Sequence, residues 1–176
     1  MLIKQDDLII RNATLEDAAI LGKWWRDGKV MAHAGFPKGI SISDEEIAKK
    51  LSKDTDEHRR TLICEYESVP IGGMNYRNKG NGIVEIGIKI CDANKQERGL
   101  GTRLLKMLIT SLFEDFGYSK VILDTNLNNK RAQHVYEKLG FRKVRVNYNS
   151  WKNQIGELQS SVDYELTKND FSKSIR

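Results

Sequence analysis

The chain has 176 residues, of which 39% are hydrophobic and 30% charged, which is typical of one globular domain with a real core. No apolar run approaches the roughly 20 residues that cross a bilayer, and the first residues lack the layout of a signal peptide. Cys64 and Cys91 have neither CxxC spacing nor a nearby histidine. We therefore expect reduced thiols, no metal site and a single cytoplasmic domain over residues 1–176.

Strand-like and helix-like segments follow one another in the order β-α-α-β-β-β-α-β-α-β-β, which predicts a mixed α/β fold. The predicted strands cover residues 8–11, 61–67, 69–76, 83–90, 120–125, 141–148 and 159–166. The first predicted helix follows the capping residue 14, and three further helices are predicted over 43 to about 53, 100–116 and 130–139. The stretch 31–40, which holds two glycines and a proline, is predicted to be a loop.

The most informative motif lies between the strand at 83–90 and the helix at 100–116. It reads Gln-Glu-Arg-Gly-Leu-Gly-Thr, and its two glycines are Gly99 and Gly101. The first turn of a helix has free backbone N–H groups, and a glycine lets a bulky anion approach them closely, so the motif predicts a phosphate site. The Lys-Ser/Thr of a P-loop and the third glycine of a dinucleotide fingerprint are both missing. A plain tight turn is the alternative.

Positive charge is concentrated around that motif. The net charge of the chain is +5, and residues 94–145 contain eleven Lys and Arg against five acidic residues. A basic segment around a phosphate site suits a polyanionic cofactor. Nucleic-acid binding is the competing interpretation, but the chain has no run of five basic residues and no alternation of aromatic and basic residues.

Two motifs together resemble one protein family. The spacing Gln96-x-x-Gly99-x-Gly101 resembles the pyrophosphate-binding motif of the GNAT superfamily of N-acetyltransferases. A second string, at 129–141, resembles the family's Asn-x-x-Ala-x-x-x-Tyr signature, which ends in Gly-Phe. The resemblance covers about 8–166 and implies acetyl-CoA as co-substrate. It also implies the acyl-CoA N-acyltransferase fold, a single mixed, mostly antiparallel central sheet flanked by helices.

The opening of the chain adds a finer resemblance. Leu8, Arg11 and Asp17 match the pattern Leu-x-x-Arg-x-x-x-x-x-Asp of the branch that includes ribosomal-protein N-terminal acetyltransferases. The branch suggests a protein N-terminal amine as the acceptor, and a small-molecule amine is nearly as well supported. Since neither cysteine lies in a motif that would activate a thiolate, we expect direct transfer in a ternary complex. An acyl-CoA-binding regulatory module without catalysis is the alternative, and a homodimer is possible.

The family resemblance also indicates which residues contact the co-substrate. Backbone N–H groups of the glycine motif would bind the pyrophosphate, and the end of the strand at 83–90 would pair with the pantetheine arm through its backbone. Asn129 fits the family's pantetheine-contacting Asn, although Asn128 is an equally good helix cap by chemistry. The residues expected to bind acetyl-CoA are Ile88, Ile90, Gln96, Arg98, Gly99, Leu100, Gly101, Thr102, Asn129, Ala132 and Tyr136.

Two residues are expected to move protons. Tyr136 is the expected general acid for the departing thiolate, and its alternative role is packing on an apolar helix face. Glu85 is the preferred general base, and its alternative role is that of a solvent-facing residue on an alternating strand. His33 is a weaker candidate for the base, and His134 is expected at the surface because it points away from Tyr136.

Aromatic residues from three segments are expected to border the acceptor pocket. They are assigned by analogy of position, and we expect at least half of them to be ordinary core or surface residues. The candidates are Trp24, Trp25, His33, Phe36 and Tyr76, with Trp151 from the last predicted hairpin reaching the pocket or a partner subunit.

Overall fold

The computed structural model describes residues 1–174. Its strands are β1 (Leu2–Gln5), β2 (Leu8–Asn12), β3 (Arg59–Tyr66), β4 (Val69–Gly80), β5 (Ile83–Ile90), β6 (Lys120–Asn126), β7 (Arg142–Lys152) and β8 (Leu158–Thr167). Its helices are α1 (Ala18–Trp25), α2 (Gly28–Met31), α3 (Asp44–Leu51), α4 (Leu100–Glu114), α5 (Lys130–Lys138) and α6 (Lys168–Ser174). Within residues 1–174, no helix is both long and apolar enough to cross a membrane.

All eight strands form one sheet in the order β1-β2-β3-β4-β5-β6-β8-β7. Every neighbouring pair is antiparallel except β5 and β6, which run parallel because α4 connects them. Helices lie on both faces, which confirms the predicted mixed α/β class with a mostly antiparallel sheet. The prediction of one domain over residues 1–176 stays a prediction.

The parallel pair is short. β5 and β6 are in register only from Ile83 opposite Lys120 to Glu85 opposite Ile122, although both strands continue for four or more residues. Beyond Glu85 the two strands separate and leave a gap in the middle of the sheet. The backbone edge of β5 on that side has no neighbouring strand there.

The residue pattern of β5 explains how the two faces differ. Val84 and Ile86 are buried in the larger core, which α4, α5 and α6 cover. The alternate residues, which include Gly87 and Lys89, face the side that α1 and α3 cover with a smaller core. The stripe of leucines predicted on α4 is buried in the larger core, so the predicted helix is confirmed.

Three elements were not predicted from the sequence. β1 forms a hairpin with β2, and α6 follows β8 directly. The predicted loop at 31–40 begins with the end of α2 and one turn of 3-10 helix at Ala32–Ala34. Each of these segments is four to seven residues long, which is too short for hydrophobic periodicity to separate strand, helix and loop.

A buried ion pair connects the start of α1 to the sheet. Two guanidinium nitrogens of Arg11 donate to the carboxylate of Asp17 at 2.7 and 2.8 Å, and its Nε donates to Glu65 at 2.7 Å. Asp17 is only 7% exposed. Burial by itself would raise the pKa of Asp17, but hydrogen bonds from Arg11 and from the Thr14 backbone outweigh it and lower the pKa.

We expect Asp17→Asn to lower the free energy of unfolding at pH 7 by about 2 kcal/mol, because it leaves the Arg11 charge without its main partner. The pKa of Asp17 is lower in the folded state, so its stabilisation is present above the unfolded value near 4. It is lost as the pH falls through the folded value. Urea unfolding at pH 7 and pH 3 should therefore show a large difference between wild type and variant only at pH 7.

The control is Asp6→Asn, which removes a carboxylate that is 75% exposed and 3.4 Å from Arg103. We expect it to change stability by less than about 0.5 kcal/mol, because exposed ion pairs contribute little. If Asp17→Asn lowers the free energy of unfolding equally at both pH values, packing rather than charge connects the start of α1 to the sheet.

Candidate active site

A cleft of about 1130 Å³ passes through the gap between β5 and β6. On the face of α4 and α5 it is lined by Gly101, Ala132 and Tyr136, and we call this part the cradle half. On the face of α1 and α3 it is lined by Trp25 and Lys89, among others, and we call this part the acceptor half. One opening in the sheet therefore connects two surfaces that the sheet would otherwise separate.

The cradle half begins at the N-terminus of α4. The first backbone hydrogen bond there runs from the Arg103 N–H to the Gly99 carbonyl at 3.2 Å. The N–H groups of Leu100, Gly101 and Thr102 consequently have no acceptor within the helix and can bind an anion. Gly99 has a φ of +73°, a conformation that glycine adopts without strain, so this residue is required by the turn itself.

Gly101 is required for a different reason. A Cβ at this position would lie 3.9 Å from Ile90 and 4.0 Å from Ile88, so the protein itself has room for it. It would instead fill the space between the helix N-terminus and the end of β5. Gln96 stands beside this space, and its Nε2 donates to the Ile90 carbonyl at 3.0 Å. The glycine leaves the helix N-terminus open to a bulky group, and its role in phosphate binding stays a prediction.

The backbone of β5 faces the gap at the positions expected for the pantetheine arm. The Cys91 N–H donates to Ile71 on β4 at 2.8 Å. Since successive residues of a strand direct their backbone groups to opposite edges, Ile88 and Ile90 direct theirs toward the gap. The Ile90 carbonyl already accepts from Gln96, which leaves Ile88 with both of its backbone groups available for an added strand.

Helix α5 forms the opposite wall. Asn129 is the residue that caps it, and its Oδ1 accepts from the Ala132 N–H at 3.2 Å. Its side chain lines the cleft beside Ala132, so capping does not remove it from the site. Asn128, the alternative cap, is exposed, and its N–H donates to Asn126.

Tyr136 lines the cleft with its ring packed against two aromatic neighbours. Its ring packs against Phe141 and Tyr164, with both centroid distances 5.8 Å, and the residue is 7% exposed. The hydroxyl forms no hydrogen bond within the described chain. Burial raises the pKa of Tyr136 to about 12, and the nearby Asp124 carboxylate adds to the rise. The phenol therefore keeps its proton at neutral pH.

Asp124 is the acidic side chain that lines the cleft itself. It is exposed to the open cleft, yet the protein atoms around it partly desolvate the carboxyl and raise its pKa, and repulsion from Glu85 and Asp163 raises it further. Within residues 1–174 it has no ion-pair partner. A carboxylate with a raised pKa beside a tyrosine is suited to accept a proton.

Glu85, the base expected from the sequence, lies just outside the cleft. It faces a smaller neighbouring groove of about 260 Å³, which it shares with Asp124. Its carboxylate is 3.3 Å from the Lys79 ammonium. The two strands are still paired at Glu85, so this residue lies before the gap opens. The sequence could not show this, because the point of separation depends on the sheet.

The other expected residues are divided between the cleft and its surroundings. Four expected residues do not line the cleft: Arg98, Gly99, Leu100 and Thr102. The Leu100 side chain is buried in the core, and Arg98 is exposed. His134 is exposed on α5, away from the cleft. Of the expected wall residues, the following line the cleft: Trp24, Trp25, His33, Tyr76 and Trp151. Tyr76 is 0% exposed and Phe36 lies outside, so these two are core and surface residues respectively.

The tip of the β7–β8 hairpin closes the acceptor half on one side. Gln154 contacts the 35–39 segment through three hydrogen bonds, in which its N–H donates to Gly35, its Oε1 accepts from Lys38 and its Nε2 donates to Gly39. Trp151 packs against Gly35, where a Cβ would lie 2.5 Å from the indole ring. No local pattern in the sequence indicates this contact, which joins segments more than 110 residues apart.

The site can be compared with known proteins. A family model described as an acetyltransferase (GNAT) domain matches residues 7–142. The chain is 26% identical over 154 residues to aminoglycoside N(6')-acetyltransferase type 1 of Klebsiella pneumoniae, covering 78% of this chain and 75% of that protein.

Two solved structures share the fold. Spermidine N-acetyltransferase of Vibrio cholerae, in complex with CoA and spermine, has a TM-score of 0.84 at 18% identity, over 96% of this chain and 99% of that one. Ribosomal-protein-S5-alanine acetyltransferase of Vibrio fischeri has a TM-score of 0.83 at 14% identity, over 97% and 98%. Enzymes whose names give different acceptors therefore share this architecture.

The chain belongs to the GNAT family of acetyltransferases. It is an acetyl-CoA-dependent N-acetyltransferase, which confirms the enzyme class and the co-substrate expected from the two motifs. Sequence reasoning missed Asp124, Lys89 and Gln154. The first two carried the same signal as Glu85, a charged residue within a largely apolar strand, whereas Gln154 carried none.

We expect Gly101→Ala to weaken CoA binding about tenfold, because a Cβ would push the phosphate away from a helix N–H and one charge-assisted hydrogen bond is worth about 1.5 kcal/mol. Folding should not suffer, since alanine favours a helix more than glycine does. Calorimetry with CoA and thermal unfolding measure the two effects separately. Thr110→Ala, on the exposed side of α4, is the matched control. Unchanged CoA affinity in Gly101→Ala would contradict the proposed cradle.

Proposed function

We propose that this enzyme transfers the acetyl group directly from acetyl-CoA to a primary amine, on a small molecule or an N-terminal residue, while both are bound. The observation that carries the proposal is the cleft that passes through the gap between β5 and β6. It lets a thioester on the cradle half and an amine on the acceptor half meet at Tyr136 and Asp124. Neither reactant then has to leave before the other binds.

The state of the two thiols supports direct transfer. Cys91 lines the cleft, but burial raises its pKa to about 12. Cys64 is 0% exposed, and burial raises its pKa still further. A thiol acts as a nucleophile only after it loses its proton, so neither residue is suited to carry an acetyl group.

In the proposed reaction, acetyl-CoA supplies the activated acetyl group. Asp124 accepts a proton from the ammonium form of the acceptor, directly or through water, because only the neutral amine is a nucleophile. As the C–N bond forms and the C–S bond breaks, Tyr136 gives its proton to the departing sulfur. The second proton that leaves the nitrogen restores Tyr136, and the proton on Asp124 passes to solvent.

A cytoplasmic location and a homodimer stay predictions. The binding-module alternative differs from an enzyme only in lacking the chemistry at Tyr136 and Asp124, so variants of these residues test it. The identity of the acceptor depends on the acceptor half, which the weakly patterned segments 24–53 and 148–159 help to form.

We expect Tyr136→Phe to lower kcat about 10- to 100-fold, because the departing thiolate loses its proton donor. CoA affinity should stay within about twofold and stability should not fall, since the ring keeps its contacts with Phe141 and Tyr164. Stopped-flow detection of free thiol gives kcat, and calorimetry gives the affinity. An unchanged kcat would show that another group, or water, protonates the sulfur.

A pair of variants tests the base. Asp124→Asn should lower kcat/KM about 100-fold at pH 7, and Glu85→Gln less than about threefold. The base must be deprotonated to act, and the pKa of Asp124 is raised above the ordinary Asp value of about 4. As the pH decreases, the wild-type rate should therefore begin to fall before the pH reaches about 4. Glu85→Gln removes a repelling charge, so it should lower the pKa of Asp124 and move this acid limb to lower pH. The reverse order of losses would make Glu85 the base.

A further inference from the structure

The acceptor half of the cleft carries basic side chains without acidic partners. Among the basic residues there, Arg59 and Arg60 are paired with Asp54 and Asp56. Four others form no ion pair with any residue from 1 to 174: Lys29, Lys50, Arg77 and Lys89. Since Asp124 is the one acidic residue lining the described cleft, basic side chains outnumber acidic ones on this side.

Lys89 is the most unusual of these residues. It lies within β5, where the sheet has opened, and its side chain is partly buried against the α1–α2 segment. Its Nζ donates to the Val30 carbonyl at 2.9 Å. An ammonium has three donors, so this bond leaves two without a protein acceptor in the described part of the chain. Burial lowers the pKa of Lys89, a cost that no carboxylate of residues 1–174 offsets.

The acids on the same face of the sheet differ from Asp124 in having partners. Asp163 pairs with Arg145, and Glu165 pairs with Lys120. Asp124 alone among them is left for a ligand. Extending the parallel register from Glu85 opposite Ile122 places Asp124 level with Gly87, two residues before Lys89. Asp124 and Lys89 therefore lie on the same face of the sheet, on the two sides of the gap, and neither has an ion-pair partner among residues 1–174.

We infer that the acceptor is a primary amine that also carries an anionic group, a carboxylate or a phosphate, which binds Lys89 while the amine meets Asp124. This inference rests on the proposed function, and it narrows the class of acceptor. An amino acid or a short phosphorylated amine carries both charges and so offers one group to each residue. A polycation, such as an aminoglycoside or a polyamine, would bring further positive charge against Lys89 and Arg77.

The test compares matched acceptors that differ only in the anion. Glycine, β-alanine and 4-aminobutyrate are each paired with their amides, and phosphoethanolamine is paired with ethanolamine, which separates carboxylate from phosphate. Spermidine and kanamycin represent polycations. Thiol release is followed at constant ionic strength. We expect kcat/KM to be at least about tenfold higher for the anionic member of a pair, because a charged hydrogen bond is worth about 1.5 kcal/mol or more.

Lys89→Met keeps most of the side chain's length and removes the charge. It should raise KM for the anionic acceptor, and the ratio of kcat/KM for that acceptor to kcat/KM for its amide should fall toward one. Lys49→Met is the matched control, because this lysine is exposed on α3 and does not line the cleft. It should leave the preference unchanged. CoA affinity of Lys89→Met, measured by calorimetry, shows whether the variant is folded and keeps its cradle half.

The outcomes separate this inference from the proposed function. Turnover of spermidine, kanamycin or the amides in preference to the anionic amines overturns the inference and leaves the transfer of acetyl to an amine standing. An anion preference that survives in Lys89→Met overturns the role of Lys89. Failure of every amine in the panel and of peptides with a free N-terminus, with CoA still bound, overturns the proposed function and the inference with it.

Discussion

The site depends on the early separation of β5 and β6. A parallel pair of strands normally hydrogen-bonds along its length, but here the register ends at Glu85 opposite Ile122. Backbone groups of Ile88 that would bind a neighbouring strand are therefore free to bind a ligand. The same separation opens a passage between the two faces of the sheet. Cradle, proton donor and acceptor surface all border this one gap.

The two halves of the cleft are constructed differently. The cradle half uses the ends of long, well-packed elements, α4 and α5, and Tyr136 is fixed there by two aromatic neighbours. The acceptor half depends on short helices and on a hairpin tip that Gln154 connects to the 35–39 segment. The cradle half is thus formed by elements of the larger core, while the acceptor half is formed largely by short helices and loops.

Charge divides the site in a second way. The cradle half offers backbone N–H groups at a helix N-terminus, which can bind an anion without a side-chain charge. The acceptor half instead presents Lys89 and Asp124, one of each sign, without partners in residues 1–174. The named relatives are aminoglycoside and spermidine N-acetyltransferases, and the acceptor inferred for this chain differs from both in also carrying an anionic group.

The sequence by itself determined the family and most of the strands and helices, because glycine spacing and hydrophobic periodicity are local properties. The short elements β1, α2 and α6 were not predicted. Gly101, Asn129 and Tyr136 could be predicted as site residues because each belongs to a motif with fixed spacing, and all three line the cleft. The tertiary structure alone decided where β5 and β6 separate, and so which acid borders the gap, Asp124 rather than Glu85. It also decided that Lys89 lacks an acidic partner, because partners of a charged residue come from distant parts of the chain and no local pattern encodes them.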